Sequence, residues 1–416
     1  MSASEKTTAA ASISTLPFHL LPKDIIVDIL SKLPAKSLVR FKCVSKFFCV
    51  LITADHGFSV LHRSVSLTLP SRAGILIVII PRTPHYTRSL PVFYTINFSE
   101  ENRRPGKQLQ ANRVGYLDGE PYAIDHLRSS SDGLVCLHRN NRHVVVCNVS
   151  TRQRISLPRI PSDSPSNITY AMLGFDSKSK RYKVLVSAPN RYKYKHWVLT
   201  VGVDKSWREI NNDSCSHLFH ITLDSLGYPN FSDTSVYIDG VIYSYNYNWR
   251  IKVHPARFGI VAFEVGSESF SVIPLPREIS SGNYSRHNYS RHAFGLLQVD
   301  GGRLAIVRKI DECMNLWTWE KFKKCWERSI TIIPLKESST SNLQMRFTTN
   351  HVGEIVLLFI NIKQLSILIY NLKSKVWRKF DVGGVEEFPT VFDVRMYRTM
   401  DNVFSLEEKD LIKCYV

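Results

Sequence analysis

The side chains of this chain that could do chemistry are scattered rather than gathered. His138 and His143 flank Asn140-Asn141 in what reads as a hairpin turn, which suits two solvated histidines better than a metal pair. The eight cysteines, at 43, 49, 136, 147, 215, 313, 325 and 414, form no CxxC pair and join no histidine at zinc-ligand spacing. Several sit in apolar runs as small buried hydrophobes, which suits a reducing compartment. Gly301-Gly302 reads as a turn, not a phosphate loop. There is no GxSxG elbow, HExxH pair, Walker loop or dinucleotide fingerprint. The expectation is a non-enzyme without catalytic residues, metal site or cofactor.

Binding chemistry is the remaining possibility. Arg191-Tyr-Lys-Tyr-Lys-His-Trp197 interleaves cations with rings, as single-strand nucleic-acid binders do. Asn283-Tyr-Ser-Arg-His is repeated at once from Asn288. A strand exposing alternate basic residues and a loop with a short duplication account for both more simply. Trp317, Trp319, Trp326 and Trp377 read as core. The formal net charge of +18 over 416 residues favours acidic partners or surfaces. A nucleic-acid-binding protein using this basic surface is the alternative reading, and nucleic acid is the less favoured partner. The longest apolar run, Ile75 to Ile80, is too short to span a bilayer, and residues 1–15 read as a disordered tail without an apolar signal core. No membrane partner is expected.

The rest of the chain is organised around Leu21 to Arg63. Ile25, Ile26, Ile29, Leu30 and Leu33 fall at helical spacing. Pro22 suits a first turn, and Pro34 ends the helix. A second helix is expected from Pro34 or Ala35 to Val44, with Leu38, Phe41 and Val44 inward. A third is expected from near Ser45, with Phe48, Leu51 and Ile52 inward. Three short helices cannot bury all this apolar surface among themselves, so part of it should meet a partner.

This segment resembles the plant F-box. The matching residues are Leu21-Pro22, Asp24-Ile25, Ile29-Leu30, Leu33-Pro34, Lys36-Ser37-Leu38, Arg40-Phe41, Cys43 to Lys46 and Leu51-Ile52, closed by Phe58 and His62-Arg63. Phe48 stands where the family usually has Trp, and Gly57 where Pro is often found. The resemblance implies docking on a SKP-family adaptor and, through it, a cullin scaffold, in the cytoplasm and/or nucleus. The residues it points to are Leu21, Pro22, Ile25, Ile29, Leu30, Leu33, Pro34, Leu38 and Phe41, with Val44 and Phe48 nearer the internal packing.

From Ser64 the pattern turns to strands. Ser66 to Leu69, Ile75 to Ile80 and Val92 to Phe98 read as strands, and Arg103 to Asn112 as a loop. From about Ser129 one half of a repeating unit is a Gly turn leading into an apolar strand, at Gly133, Gly240, Gly302 and Gly353. The other half is a strand, a polar turn and an aromatic: Glu264 to Phe270, Glu320 to Trp326 and Asn371 to Trp377 are each spaced alike. A period of about fifty residues with short strands is the signature of propeller blades. Five units fit between 129 and 382, and the strands at 65–125 and 388–406 supply a sixth, closed by both ends. SSDGLVCL, GFDSKSKRYKVL, VYIDGVIYSY, IVAFEV and SFSVIPLP resemble the F-box-associated domain, which is kelch-like in style. The expected architecture is α+β multidomain: a tail (1–15), a three-helix F-box (16–63) and an all-β, six-bladed propeller-like domain (64–416). The expected function is substrate recognition in an SCF-type ubiquitin ligase, with the target and its contact residues unknown.

Overall fold

A computed structural model describes residues 21–81, 91–98, 108–118, 126–139, 143–161, 170–190, 193–210, 235–246, 259–280, 294–335, 344–361, 364–385 and 392–406. The helical module comprises α1 (Lys23–Ser31), α2 (Ala35–Phe41), α3 (Lys46–Thr53) and α4 (His56–Thr68). Pro22 and Pro34 stand at the N-caps of α1 and α2, where a missing N–H costs nothing. Ser45 and Asp55 cap α3 and α4 by accepting the N–H of Phe48 and Phe58 at 3.2 and 3.0 Å. The fourth helix corrects the three-helix expectation, and it also replaces the strand expected at Ser66 to Leu69. Its buried face carries Phe58, then Ser59, His62 and Ser66. Beyond Phe58 the helical period is therefore written in polar residues, where hydrophobic patterning does not show it.

Six sheets form the rest. The first strands are β1 (Ala73–Pro81), β2 (Val92–Asn97), β3 (Leu109–Gln110) and β4 (Asn112–Arg113). Then come β5 (His126–Ser131), β6 (Leu134–Arg139), β7 (His143–Asn148) and β8 (Arg154–Ser156), followed by β9 (Tyr170–Asp176), β10 (Arg181–Asn190), β11 (Lys193–Thr200) and β12 (Arg208–Glu209). The fourth group is β13 (Ser235–Ile238), β14 (Val241–Asn246), β15 (Gly259–Glu264) and β16 (Ser269–Pro274). After the short α5 (Arg277–Ser280), the fifth is β17 (Phe294–Val299), β18 (Arg303–Ile310), β19 (Cys313–Glu320) and β20 (Cys325–Ile332). The sixth is β21 (Gln344–Thr349), β22 (Ile355–Asn361), β23 (Gln364–Asn371) and β24 (Val376–Gly383), and β25 (Phe392–Met400) ends the series.

Each group is one antiparallel blade. The exceptions make the ring. β25 pairs with β1 to complete blade 1 in the order β25-β1-β2-β4, and β3 leaves its neighbours to pair parallel with β24 of blade 6. The innermost strands β25, β5, β9, β13, β17 and β21 neighbour one another in turn, so the sheet edges close into a six-bladed propeller. The stretch expected as a loop at Arg103 to Asn112 thus contains β3, whose Leu109 is buried between blades 1 and 6.

The sequence repeat has a physical basis in the blades. Phe263 faces Phe270, Trp319 faces Trp326, and Tyr370 faces Trp377 across the third hairpin of blades 4, 5 and 6, with ring centroids 4.8, 5.1 and 4.7 Å apart. The indole N–H of Trp326 donates to the Pro274 carbonyl of the preceding blade (2.7 Å), and that of Trp377 to the Ile332 carbonyl (3.0 Å). Trp207 does the same to Pro158. These tryptophans therefore join blades rather than cage a ligand. Cys136 and Cys147 are buried, and burial pushes the Cys147 thiol up to about 12, which fits their reading as inert small hydrophobes.

Glycine is required at the turn after β5. Gly133 has φ +81°, and a Cβ there would land on the Met400 carbonyl oxygen. Gly240 has φ +89° with open space around it. Gly133→Ala is therefore expected to cost at least about 3 kcal/mol and Gly240→Ala only about 1–2 kcal/mol, the left-handed penalty alone. Denaturant midpoints of the two variants measure the difference.

Candidate functional site

The family resemblance placed docking on nine residues from Leu21 to Phe41, across α1 and α2, and the structure divides the isoleucine-rich stretch in two. Ile26 and Leu30 point into the core of the module with Ala35, Leu38, Phe48, Leu51, Ile52 and Phe58. Ile25 and Ile29, one turn apart, are 44 % and 46 % exposed, and Leu21 just before the helix is 42 % exposed. Pro22 and Pro34 are also exposed, while Leu33 and Phe41 are half-buried. Of the nine residues named from sequence, Leu30 and Leu38 are thus buried in the module itself. A run apolar on both α1 faces cannot be sorted by spacing alone into core and docking residues.

Two more residues belong to the exposed set. Val44, expected inward, is 70 % exposed in the turn between α2 and α3, and Phe47 is largely exposed. Phe48 is buried, edge-on to both Phe41 and Phe47. This is the aromatic anchor in the place of the usual Trp. The module therefore has a complete core and still shows Leu21, Ile25, Ile29, Val44 and Phe47 to solvent, the pattern of a surface meant to be covered.

The module is fixed to the propeller. The chain enters the ring at Ala73 and leaves it at Met400, and these two residues are paired. Linker and C-terminal segment therefore emerge side by side. Asp401 accepts the Ala35 N–H at 3.1 Å, supplying α2 with a cap that Pro34 cannot give. Val403 is buried in the helical core, and Phe404 packs edge-on against Tyr182 of blade 3 and His56 of α4. Asn402 donates to the Asp132 carbonyl (2.7 Å) and the Tyr182 hydroxyl (3.0 Å).

From the other side α4 reaches down. Arg63 meets the Asp132 carboxylate at 2.6 Å and lies 3.9 Å from the Phe175 ring centroid. Burial alone would lower the Arg63 pKa; the Asp132 carboxylate reverses this and raises it. One residue back, His62 is fully buried, its Nε2 3.1 Å from the Leu33 carbonyl and 3.2 Å from Arg72 Nη1. Burial, then the neighbouring Arg72 charge, lower the His62 pKa to about 4. Arg63 thus mounts the helical module on the ring, while His62 ties α4 to the Leu33 turn and to Arg72 of the linker.

The basic-aromatic stretch does not assemble a second site among the described residues. His196 and Trp197 are buried in β11, the latter between blades 2 and 3. Lys195 pairs with Glu209 at 3.0 Å. His143 begins β7, as the hairpin reading requires. The duplicated stretch from Asn283 lies outside the described residues.

His62 gives the helical module a pH signature. It is neutral when folded and takes up a proton when unfolded. Its contribution is present above about pH 6.5 and is lost as pH falls toward 4, a change of about 3 kcal/mol. His62→Gln, which cannot titrate, is expected to flatten the wild-type slope of stability against pH in that window; Asp401 nearby is common to both proteins and drops out of the difference. Parallel slopes would contradict the assignment.

Comparison with known proteins agrees with this geometry. Residues 18–58 match the F-box domain, and residues 94–404 match the F-box associated beta propeller domain. Putative F-box protein At3g52320 of Arabidopsis thaliana is 29 % identical over 71 % of this chain and 69 % of its own length. Putative F-box protein At1g47790 is 28 % identical over 90 % and 89 %, and F-box protein At1g30790 is 26 % identical over 88 % and 90 %. With helices α1 to α4 mounted on a closed six-bladed ring and both parts matched, the chain belongs to the F-box proteins that carry an F-box-associated β-propeller domain.

Proposed function

We propose that this chain is the substrate-recognition subunit of an SCF-type ubiquitin ligase. The apolar face around Ile25 and Ile29 docks on a SKP-family adaptor and through it joins a cullin scaffold. The propeller, whose repeats we read as kelch-like in style, holds a target protein. The chain does no bond chemistry itself and works in the cytoplasm and/or nucleus. Its mechanism is proximity: a target held beside an enzyme carrying activated ubiquitin reacts at high effective concentration. The observation that carries this reading is the pair of exposed isoleucines over a finished core.

The fixed mounting supports the same reading. A receptor that presents its target at a constant position needs its docking module and its binding domain to move as one body. Arg63–Asp132 and the segment from Asp401 to Leu406 provide this coupling.

The test is co-expression with a SKP-family adaptor followed by size-exclusion chromatography with light scattering. The wild type is expected to elute as a one-to-one complex. Pro22→Ala combined with Ile29→Asp is expected to weaken the complex by about a hundredfold or more, the scale of losing central anchors, with an unchanged circular dichroism spectrum. Leu38→Asp, by contrast, is expected to unfold the helical module. Undiminished co-elution of the double variant would remove α1 from the interface.

A further inference from the structure

Edge strands of a sheet are open templates for pairing, and proteins blunt them by shortness, proline or a cover. Five blades do so here. The outermost strands β4, β8 and β12 are very short, and β16 ends in Pro274. β24 is long, but β3 lies along it. Blade 5 is different: β20 spans Cys325–Ile332, and among the described residues no strand pairs with its outer side.

The same hairpin carries the three most exposed large apolar side chains of the described propeller. Phe322, at the tip of the β19–β20 turn, is 99 % exposed, and Ile330 and Ile332 are 57 % and 70 % exposed. The isoleucines are two residues apart and therefore share a face of the strand. Beside Phe322 stand Lys321, Lys323 and Lys324, all exposed, and Arg328 follows on the strand. Of the nearby carboxylates, Glu320 is engaged by Arg303 at 2.6 Å and Glu327 by Lys323 at 3.4 Å. The turn therefore presents an excess of positive charge around an aromatic ring.

Blade 6 shows what fits such an edge. Aligning Trp377 on Trp326 places Val382 and Gly383 at the positions of Thr331 and Ile332. Those two residues are where β3 pairs, with Leu109 buried; in blade 5 the Ile332 carbonyl already accepts the Trp377 indole N–H, so a partner strand pairs on the turn side of it, along Arg328 and Ile330. We infer that blade 5 receives its fifth strand from another protein: an extended segment of a partner, with alternate apolar residues over Ile330 and Ile332 and acidic residues toward Lys321, Lys323 and Lys324. Main-chain pairing supplies affinity, and the alternation and charge supply selectivity. This names the kind of target segment the propeller holds and rests on the receptor reading for that role. Blade 5 lies across the ring from blade 2, where Arg63 anchors the helical module.

The experiment is selection of short random peptides, displayed on phage, against the immobilised full-length chain. Enriched peptides are expected to alternate Ile, Val or Leu with polar residues and to carry Asp or Glu toward one end. A synthetic peptide of the enriched sequence is expected to bind Ile330→Glu/Ile332→Glu at least about tenfold more weakly than wild type, and Lys321→Glu/Lys323→Glu/Lys324→Glu more weakly in low salt. No enrichment, enriched peptides without alternation, or equal affinity for the isoleucine variant would each overturn the proposal. So would a concentration-dependent dimer abolished by that variant, which would assign the edge to a second copy. Both variants keep α1 intact and are expected to co-elute with the adaptor as wild type does. Failure of the wild type to co-elute would condemn the receptor reading while leaving the peptide result to decide the edge.

Discussion

The pairing of β25 with β1 is the constraint from which the rest of the structure follows. It joins the last described strand to the first of the ring, and without it blade 1 has no innermost strand. It also sets Met400 beside Ala73, so that the segment after β25 leaves the ring beside the linker from α4. That segment then completes the helical module from outside: Asp401 caps α2 and Val403 enters the core. A module this small gains from such help, because four short helices bury a modest apolar area by themselves.

The consequence is a division of labour within one stretch of sequence. The inner half of α1 is committed to packing through Ile26 and Leu30. Its outer half leaves Ile25 and Ile29 exposed, and stability is supplied from elsewhere, by Val403 below and by Arg63 on Asp132 at the rim. The buried ion pair stands over the Phe175 ring and beside the Tyr182 hydroxyl. Losing either charge would strand the other, a loss of several kcal/mol for buried pairs. Such joints fix orientation at least as much as they stabilise.

Much of the fold was legible in the sequence because its signals are local. Gly turns at 133, 240, 302 and 353 all adopt the left-handed backbone the pattern implied. The aromatics at 270, 326 and 377 sit at equivalent places in three blades, as their spacing indicated. What was hidden is non-local or written in polar residues. Nothing about Val403 or Phe404 announces contact with helices more than three hundred residues earlier. Beyond Phe58 the buried face of α4 is Ser59, His62 and Ser66, which defeats hydrophobic periodicity. β3 is two residues long and pairs with a strand at the other end of the domain. At the candidate site the same limit appears: Ile25 and Ile26 are chemically identical neighbours, and the fold alone decides that one is surface and the other core.

Mounted in this way, the helical module and the propeller are expected to unfold as one cooperative body. All seven tryptophans lie at or beyond Trp197, within the propeller region, while most described helix lies in α1 to α4. Tryptophan fluorescence and far-ultraviolet circular dichroism at the helical band therefore report the two parts separately. Unfolding the full-length chain in guanidinium and following both signals tests the claim directly. Superimposable transitions are expected for the two probes. A helical signal lost at clearly lower denaturant than the tryptophan signal would contradict it, and would make the module an independently folding appendage of the ring.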